Sequence, residues 1–344
     1  MNRDEYISTF LPEGIPALWC PMITHFEAAA APDRDRIHRH LEVLKDDVRG
    51  ILIPGSTGEG WNMNDADILR LLDIVLDKTA ETGQYMLIGV LKTETQAMID
   101  SIAKSVEYLI ARSGGGSWNE AFVKNRVAGF TICPPSGADL SQEEITEGLE
   151  AVLSIGYPLA LYQLPQITSN EMEPSTIEYL AGTYQNFFLF KDTSGEDRVA
   201  EAGMDYGGVF LVRGAEGGYS RWSKAGGGPY DGFLLSTANT FSRELMQILR
   251  DLGDGKTDRA RKTADAVEHA VTAMFELTAG FPSGNPFANS NKVFDHIRAW
   301  GEDAADRPAP LLYDGARIPE EWIGRGLELL EENALPIRVG YMQN

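Results

Sequence analysis

The chain has 344 residues, 43% hydrophobic and 24% charged, enough to fill a core as one large domain or two ordinary ones. Its 30 Lys plus Arg against 51 Asp plus Glu leave a formal net charge of -21, which argues against nucleic-acid backbones and anionic membrane surfaces as partners. Two cysteines, Cys20 and Cys133, are too few for a disulfide scaffold. No stretch reaches the ~18 apolar residues of a membrane span, and the start, MNRDEYISTFLPEG, lacks a signal-peptide core, so a cytoplasmic protein is expected.

In chain order, short apolar runs alternate with helical patterns. The strand candidates are GIPALWC (14–20), GILIP (50–54), YMLIGV (85–90), VAGFTIC (127–133), PLALYQL (158–164), NFFLF (186–190), VFLVR (209–213) and DGFLLS (231–236). Each is brief, mostly apolar on both faces and bounded by Gly, Pro or polar residues, as strands of a buried parallel sheet are. Between them Ile37, Leu41 and Leu44 share one helix face, and so do Ile68, Leu71, Leu72, Val75 and Leu76 behind a cap at Asn64. Met98, Ile102, Val106, Leu109 and Ile110 mark a third helix, and Ser141 with Glu144 has the spacing of a capping box. Shorter helices are expected at 173–183, 196–205 and 216–226, and residues 113–126 read as a loop insertion. After residue 240 only helical patterns remain, at 240–253, 257–280, 289–300 and 318–333.

Eight strands alternating with helices over about 250 residues predict a (β/α)₈ barrel rather than an open doubly wound sheet. The expected division is a barrel domain over residues 1–240, then the last barrel helix and a helical C-terminal region over 241–344.

In such barrels the site forms at the C-terminal ends of the strands. There the sequence places Gly55-Ser56-Thr57-Gly58-Glu59 after strand two, Tyr162 near the end of strand five, Lys191 at the end of strand six and Gly214-Ala215-Glu216 after strand seven. A lysine at a barrel mouth can attack a ketone and form an iminium, which acts as an electron sink. That requires a free amine, and the apolar run Phe187 to Phe190 supplies walls of the kind that lower a lysine pKa. Tyr162 is the candidate general acid/base, and the backbone N–H groups and hydroxyls of GSTGE are candidates to bind a carboxylate.

The order GIPAL, GSTGEG, YQLP, FKDTSG and DGFLLSTAN resembles the dihydrodipicolinate synthase and N-acetylneuraminate lyase family over residues 14–300. These are Schiff-base lyases and aldolases acting on pyruvate or related 2-keto acids. The resemblance implies a (β/α)₈ barrel with a helical C-terminal region, assembled as a homo-oligomer, a tetramer or dimer. It implies Lys191 as the imine-forming residue and Tyr162 as the proton shuttle. Gly55, Ser56 and Thr57 would hold the keto-acid carboxylate, with Thr57 also in the proton relay, and the backbone at Leu234 would lie against the bound acid. No cofactor is implied.

Two departures bear on the partner substrate. Where the lysine-biosynthetic synthase has an arginine five residues after the tyrosine, this chain has Ile167, and Ser136 is the match to a tyrosine that crosses a subunit interface. An isoleucine cannot replace a bidentate carboxylate clamp. The expectation is therefore condensation or cleavage of a 2-keto acid with a different aldehyde, one from a sugar acid being a candidate. The alternatives are dihydrodipicolinate synthase itself and a catalytically weak keto-acid-binding paralogue.

Other residues read as structural. His38 and His40 lie two apart on a helix and face different ways, the other histidines are scattered, and no metal is expected. Cys133 reads as a buried thiol, the stripe Ala266, Val267, Ala270, Val271, Met274 and Phe275 as packing, and Glu328, Glu331 and Glu332 as a solvated face.

Overall fold

A computed structural model describes residues 1–343. Eight parallel strands close into a barrel: β1 Leu18–Pro21, β2 Gly50–Ile53, β3 Tyr85–Val90, β4 Val127–Ile132, β5 Leu159–Gln163, β6 Phe187–Asp192, β7 Phe210–Arg213 and β8 Gly232–Leu234. All eight coincide with the strand runs in the sequence, and β1 pairs with both β2 and β8 to complete the ring. The double-sided apolar character has a direct cause, since one face of each strand meets the barrel interior and the other meets the helices.

The interior is a packed core. Trp19, Leu52, Leu87, Ala128, Ala160, Leu189, Val212 and Leu234, one from each strand, form a single buried cluster. Trp19 fits only because β2 begins with Gly50, where a Cβ would lie 2.3 Å from the indole ring. A register shift at Phe188 in the β5–β6 pairing lets both Phe187 and Phe190 face outward, into the cluster shared with the helices, and Leu189 is the β6 residue beneath Lys191.

Helices Arg34–Leu44, Asp65–Thr82, Thr95–Arg112, Gln142–Leu153 and Pro174–Thr183 follow strands β1 to β5. The cap at Asn64 and the capping box of Ser141 with Glu144 are both formed. After β6 the helix shrinks to Arg198–Glu201, and the loop after β7 contains only a 3₁₀ turn at Lys224–Gly226, so the helix expected over 216–226 is absent. Glycines at 217, 218 and 227 adopt positive φ there and break any helical run. The segment 113–126 is more ordered than expected, since Ser117 caps a helix Trp118–Lys124 whose Trp118 and Phe122 pack on Phe10. Phe10 ends an N-terminal helix, Arg3–Phe10, not anticipated from the sequence. Its Arg3 donates to the carbonyls of Phe187 (2.7 Å) and Ala181 (2.5 Å), fastening the helix near the start of β6.

Beyond β8, helices Ala238–Gly253, Thr257–Thr278, Pro286–Trp300 and Glu320–Glu332 pack on one another. Val267, Ala270, Val271 and Met274 are buried in that packing. No helix among the described residues is long and apolar enough to cross a membrane.

Candidate active site

The site is built on the pairing of β5 with β6. In that register Tyr162 lies beside Lys191, and both side chains point into the barrel mouth. The Lys191 ammonium nitrogen stands 4.0 Å from the centre of the Tyr162 ring. Lys191 is only 4% exposed, and burial pulls its amine down to about 7, against the opposing influence of Cys133, Glu216 and Cys20. The same burial pushes the Cys133 thiol up to about 12, leaving it neutral near pH 7. Burial also raises the Tyr162 hydroxyl above the usual range, while hydrogen bonds with Ser56 and Thr193 work the other way.

A cavity of about 470 Å³ opens over this pair. Ser56, Thr57, Tyr162, Lys191 and Leu234 line it, so the fold gathers residues from β5, β6, β8 and the turn after β2 as the sequence predicted. Gly55 lies behind the lining, its carbonyl accepting from the amides of Gly58 (3.1 Å) and Gly60 (3.1 Å) to shape the turn. The Tyr162 hydroxyl is bonded to Thr193 and, in the turn after β2, to Ser56. The Ser56 hydroxyl is itself fixed by Trp61, whose indole N–H donates to Ser56 Oγ at 2.9 Å. Ser56 is thus the residue of the turn in hydrogen-bonding contact with Tyr162, and Thr57 lines the same cavity.

Gly214 and Glu216, which the sequence placed at the mouth, make specific contacts there, whereas Asn285, Pro286 and Phe287 were not anticipated. Gly214 touches the lysine stem: a Cβ there would fall 2.7 Å from Lys191 Cε and 2.3 Å from Thr193 Cγ2, so only glycine allows β7 to pass this close. Glu216 is held by Ser236 Oγ (2.6 Å), Thr237 Oγ1 (2.7 Å), the Thr237 amide (3.1 Å) and Tyr219 (2.9 Å). The C-terminal region contributes Asn285, Pro286 and Phe287. Asn285 caps its helix by accepting from the Ala288 amide, and donates to the Ser56 carbonyl at 2.9 Å. A second tie lies deeper. Lys292 and Glu59, both almost fully buried, form an ion pair, and the Tyr313 amide donates to the other Glu59 oxygen at 2.9 Å. The Glu of GSTGE thus anchors the C-terminal helices to the turn that carries Ser56.

Ile167 lines the outer cavity, while Ser136 stands outside it, its amide bonded to the Thr93 carbonyl at 3.0 Å. The fold also assembles histidines that looked scattered. His25 and His40 meet at 3.1 Å, with Asp295 beside them, all buried. Arg36 already contacts Asp295 at 2.8 Å and Tyr341 donates to both its oxygens, so the carboxylate is neutralised within the protein and the cluster is a hydrogen-bonded staple for the C-terminal tail.

The barrel that carries this pair has counterparts among known proteins. Residues 16–283 match the dihydrodipicolinate synthetase family. The chain belongs to that family. It is 24% identical over 274 residues to the 4-hydroxy-tetrahydrodipicolinate synthase of Mycobacterium leprae, covering 78% of this chain and 82% of that one. Its fold superposes with a TM-score of 0.70 on a prophage protein of the family from E. coli K12 in complex with pyruvate, at 18% identity and covering 93% and 99% of the two chains. A variant of the 2-keto-3-deoxygluconate aldolase of Sulfolobus solfataricus gives 0.64 at 16% identity, covering 92% and 96%. Membership of the dihydrodipicolinate synthetase family makes the chain an enzyme of the lyase and aldolase type.

Proposed function

We propose that the protein condenses or cleaves pyruvate, or a close 2-keto acid, with an aldehyde through an imine on Lys191. The observation that carries this reading is the lysine itself: fully enclosed, lowered to about 7, and opening on a cavity it shares with Tyr162. An amine half deprotonated near neutral pH can attack the ketone carbon, and loss of water gives the iminium. Tyr162, bonded to Ser56, hands the proton to the departing hydroxyl and later takes up or returns the proton at C3. Ser56 and Thr57, with the amides of their turn, hold the carboxylate of the keto acid. Leu234 lies against its other face. We further propose that the protein works as a homo-oligomer in the cytoplasm, with residues 1–240 as its barrel domain.

The test is borohydride trapping. With pyruvate and reductant, the adduct is expected on Lys191 alone, and Lys191→Ala should lose both adduct and turnover by about 10³-fold or more. A protein that turns over pyruvate normally after this substitution would sink the reading.

Dihydrodipicolinate synthase activity proper is the weaker reading, because Lys191 is the only cation lining the cavity among the described residues and no side chain there replaces the missing arginine.

A further inference from the structure

The outer half of the cavity differs in chemistry from the half around Lys191. Its wall is Leu164 and Ile167 from the segment after β5, Pro286 and Phe287 from the C-terminal helix, and the Trp61 ring. Ile167 and Phe287 are 40% and 41% exposed, apolar surface left open to solvent at the mouth of a site. Lys191 is the single cation among the described lining residues, and its nitrogen carries no charge in the neutral enamine that meets the aldehyde. A second anionic substrate would therefore enter without a counter-ion and close to the Glu216 carboxylate.

The polar groups of this half are already bonded to the protein. Asn285 uses both ends of its amide, on Ser56 and Ala288. Gln166 donates to the Thr193 carbonyl at 3.2 Å, and Ser194 Oγ donates to Asp192 at 2.7 Å. Thr193 Oγ1 donates to the Gln163 carbonyl at 2.5 Å, and Glu216 is saturated by Ser236, Thr237 and Tyr219. A chain of substrate hydroxyls would find few free partners here, while an apolar group would find a wall that gains by being covered.

We infer that the partner aldehyde is uncharged and carries an apolar alkyl or aryl group, seated against Ile167, Phe287 and Leu164. The inference rests on the imine chemistry proposed above. In the synthetic direction, C3 of the lysine-bound enamine attacks the aldehyde carbon and forms the new carbon–carbon bond. The enamine nitrogen lone pair becomes the iminium bond, and Tyr162 protonates the alkoxide. Water then hydrolyses the iminium, replacing the water lost when it formed, and releases a 4-hydroxy-2-keto acid bearing the apolar group on C4. It differs from the sugar-acid aldehyde expected from the sequence, whose hydroxyl chain would find few unbonded side-chain partners on this wall.

The experiment pairs two measurements on the full-length protein. Borohydride trapping with pyruvate alone establishes the imine, and its absence overturns the underlying reading and this inference with it. Initial rates are then measured with pyruvate and four aldehydes: benzaldehyde, 4-methylpentanal, its charged shape-match 4-oxobutanoate, and glyceraldehyde. The expected result is a kcat/KM at least about tenfold higher for the two apolar aldehydes. A pyruvate adduct together with preference for 4-oxobutanoate or glyceraldehyde overturns the inference and leaves the imine chemistry standing. Ile167→Arg, at a half-exposed position where folding should be retained, is expected to narrow the ratio of 4-methylpentanal to 4-oxobutanoate about tenfold, chiefly through KM for the aldehyde. An unchanged ratio accompanied by a change in solution mass would assign this wall to contact with a second copy of the chain, and overturn the inference.

Discussion

On the floor of the cavity, Lys191 and Tyr162 stand on paired strands, whereas at its mouth Ile167, Pro286 and Phe287 come from a four-residue helical turn and a helix that starts some 95 positions after Lys191. The floor is rigid because the barrel register and the Leu189, Val212 and Leu234 layer beneath set where each side chain points. The mouth is tied to the barrel by contacts distant in sequence, among them the Asn285–Ser56 hydrogen bond and the Lys292–Glu59 pair. A scaffold of this kind separates reaction from selection: strand ends fix the reacting groups, and the segments that follow are free to change what is admitted.

The sharpest way to break that comparison is at the floor. Tyr162→Phe keeps the ring over which the Lys191 amine sits and removes only the hydroxyl bonded to Ser56. Turnover should fall about 10²- to 10⁴-fold, the range of a general acid/base, with the KM for the aldehyde little changed. If Tyr162→Phe instead shifted aldehyde preference at near-normal turnover, the division between floor and mouth would be wrong.

The mouth can be loosened without touching the reacting groups. Lys292→Met leaves Glu59 as a buried carboxylate without its cation, a loss of about 3–5 kcal/mol. A lower melting temperature is the expected readout. Adding Glu59→Gln should recover part of the loss, because the stranded charge goes with it. Were the single substitution neutral in a melting experiment, the pair would not be what ties the C-terminal helices to the GSTGE turn.

This contrast also explains what was readable in the sequence. The strands and Lys191 were legible because a barrel strand buries both faces, so an apolar run ending on a charge marks its own position. The helices of the first half were legible through caps such as Asn64 and Ser141. The side-chain directions within NFFLF were not, since only the closed barrel decides that Leu189 faces inward and Phe190 outward. Asn285 lies 229 positions from the carbonyl it meets in Ser56, and no local pattern announces such a contact. Likewise His25 and His40 became neighbours only through the meeting of the β1 loop with the first barrel helix. Residues 216–226 were expected as a short helix, but glycines at positive φ there shape instead the loop that presents Glu216.

The finest of these tests concerns protons. Lys191 must be neutral to attack, and burial sets its pKa at about 7 in place of the usual ~10.4. Below that value the amine is protonated and the rate of adduct formation with pyruvate should fall about tenfold per pH unit, and above it the rate should level off. The neighbouring groups leave this limb to the lysine, since Cys133 is pushed up to about 12 and Tyr162 is raised as well, so both stay neutral while Lys191 titrates. Glu216 favours the charged amine, and Glu216→Gln should move the limb to lower pH by a fraction of a unit. A limb still rising toward pH 10 would mean that water reaches Lys191 freely, and the case for a sealed floor beneath an open, apolar mouth would fail with it.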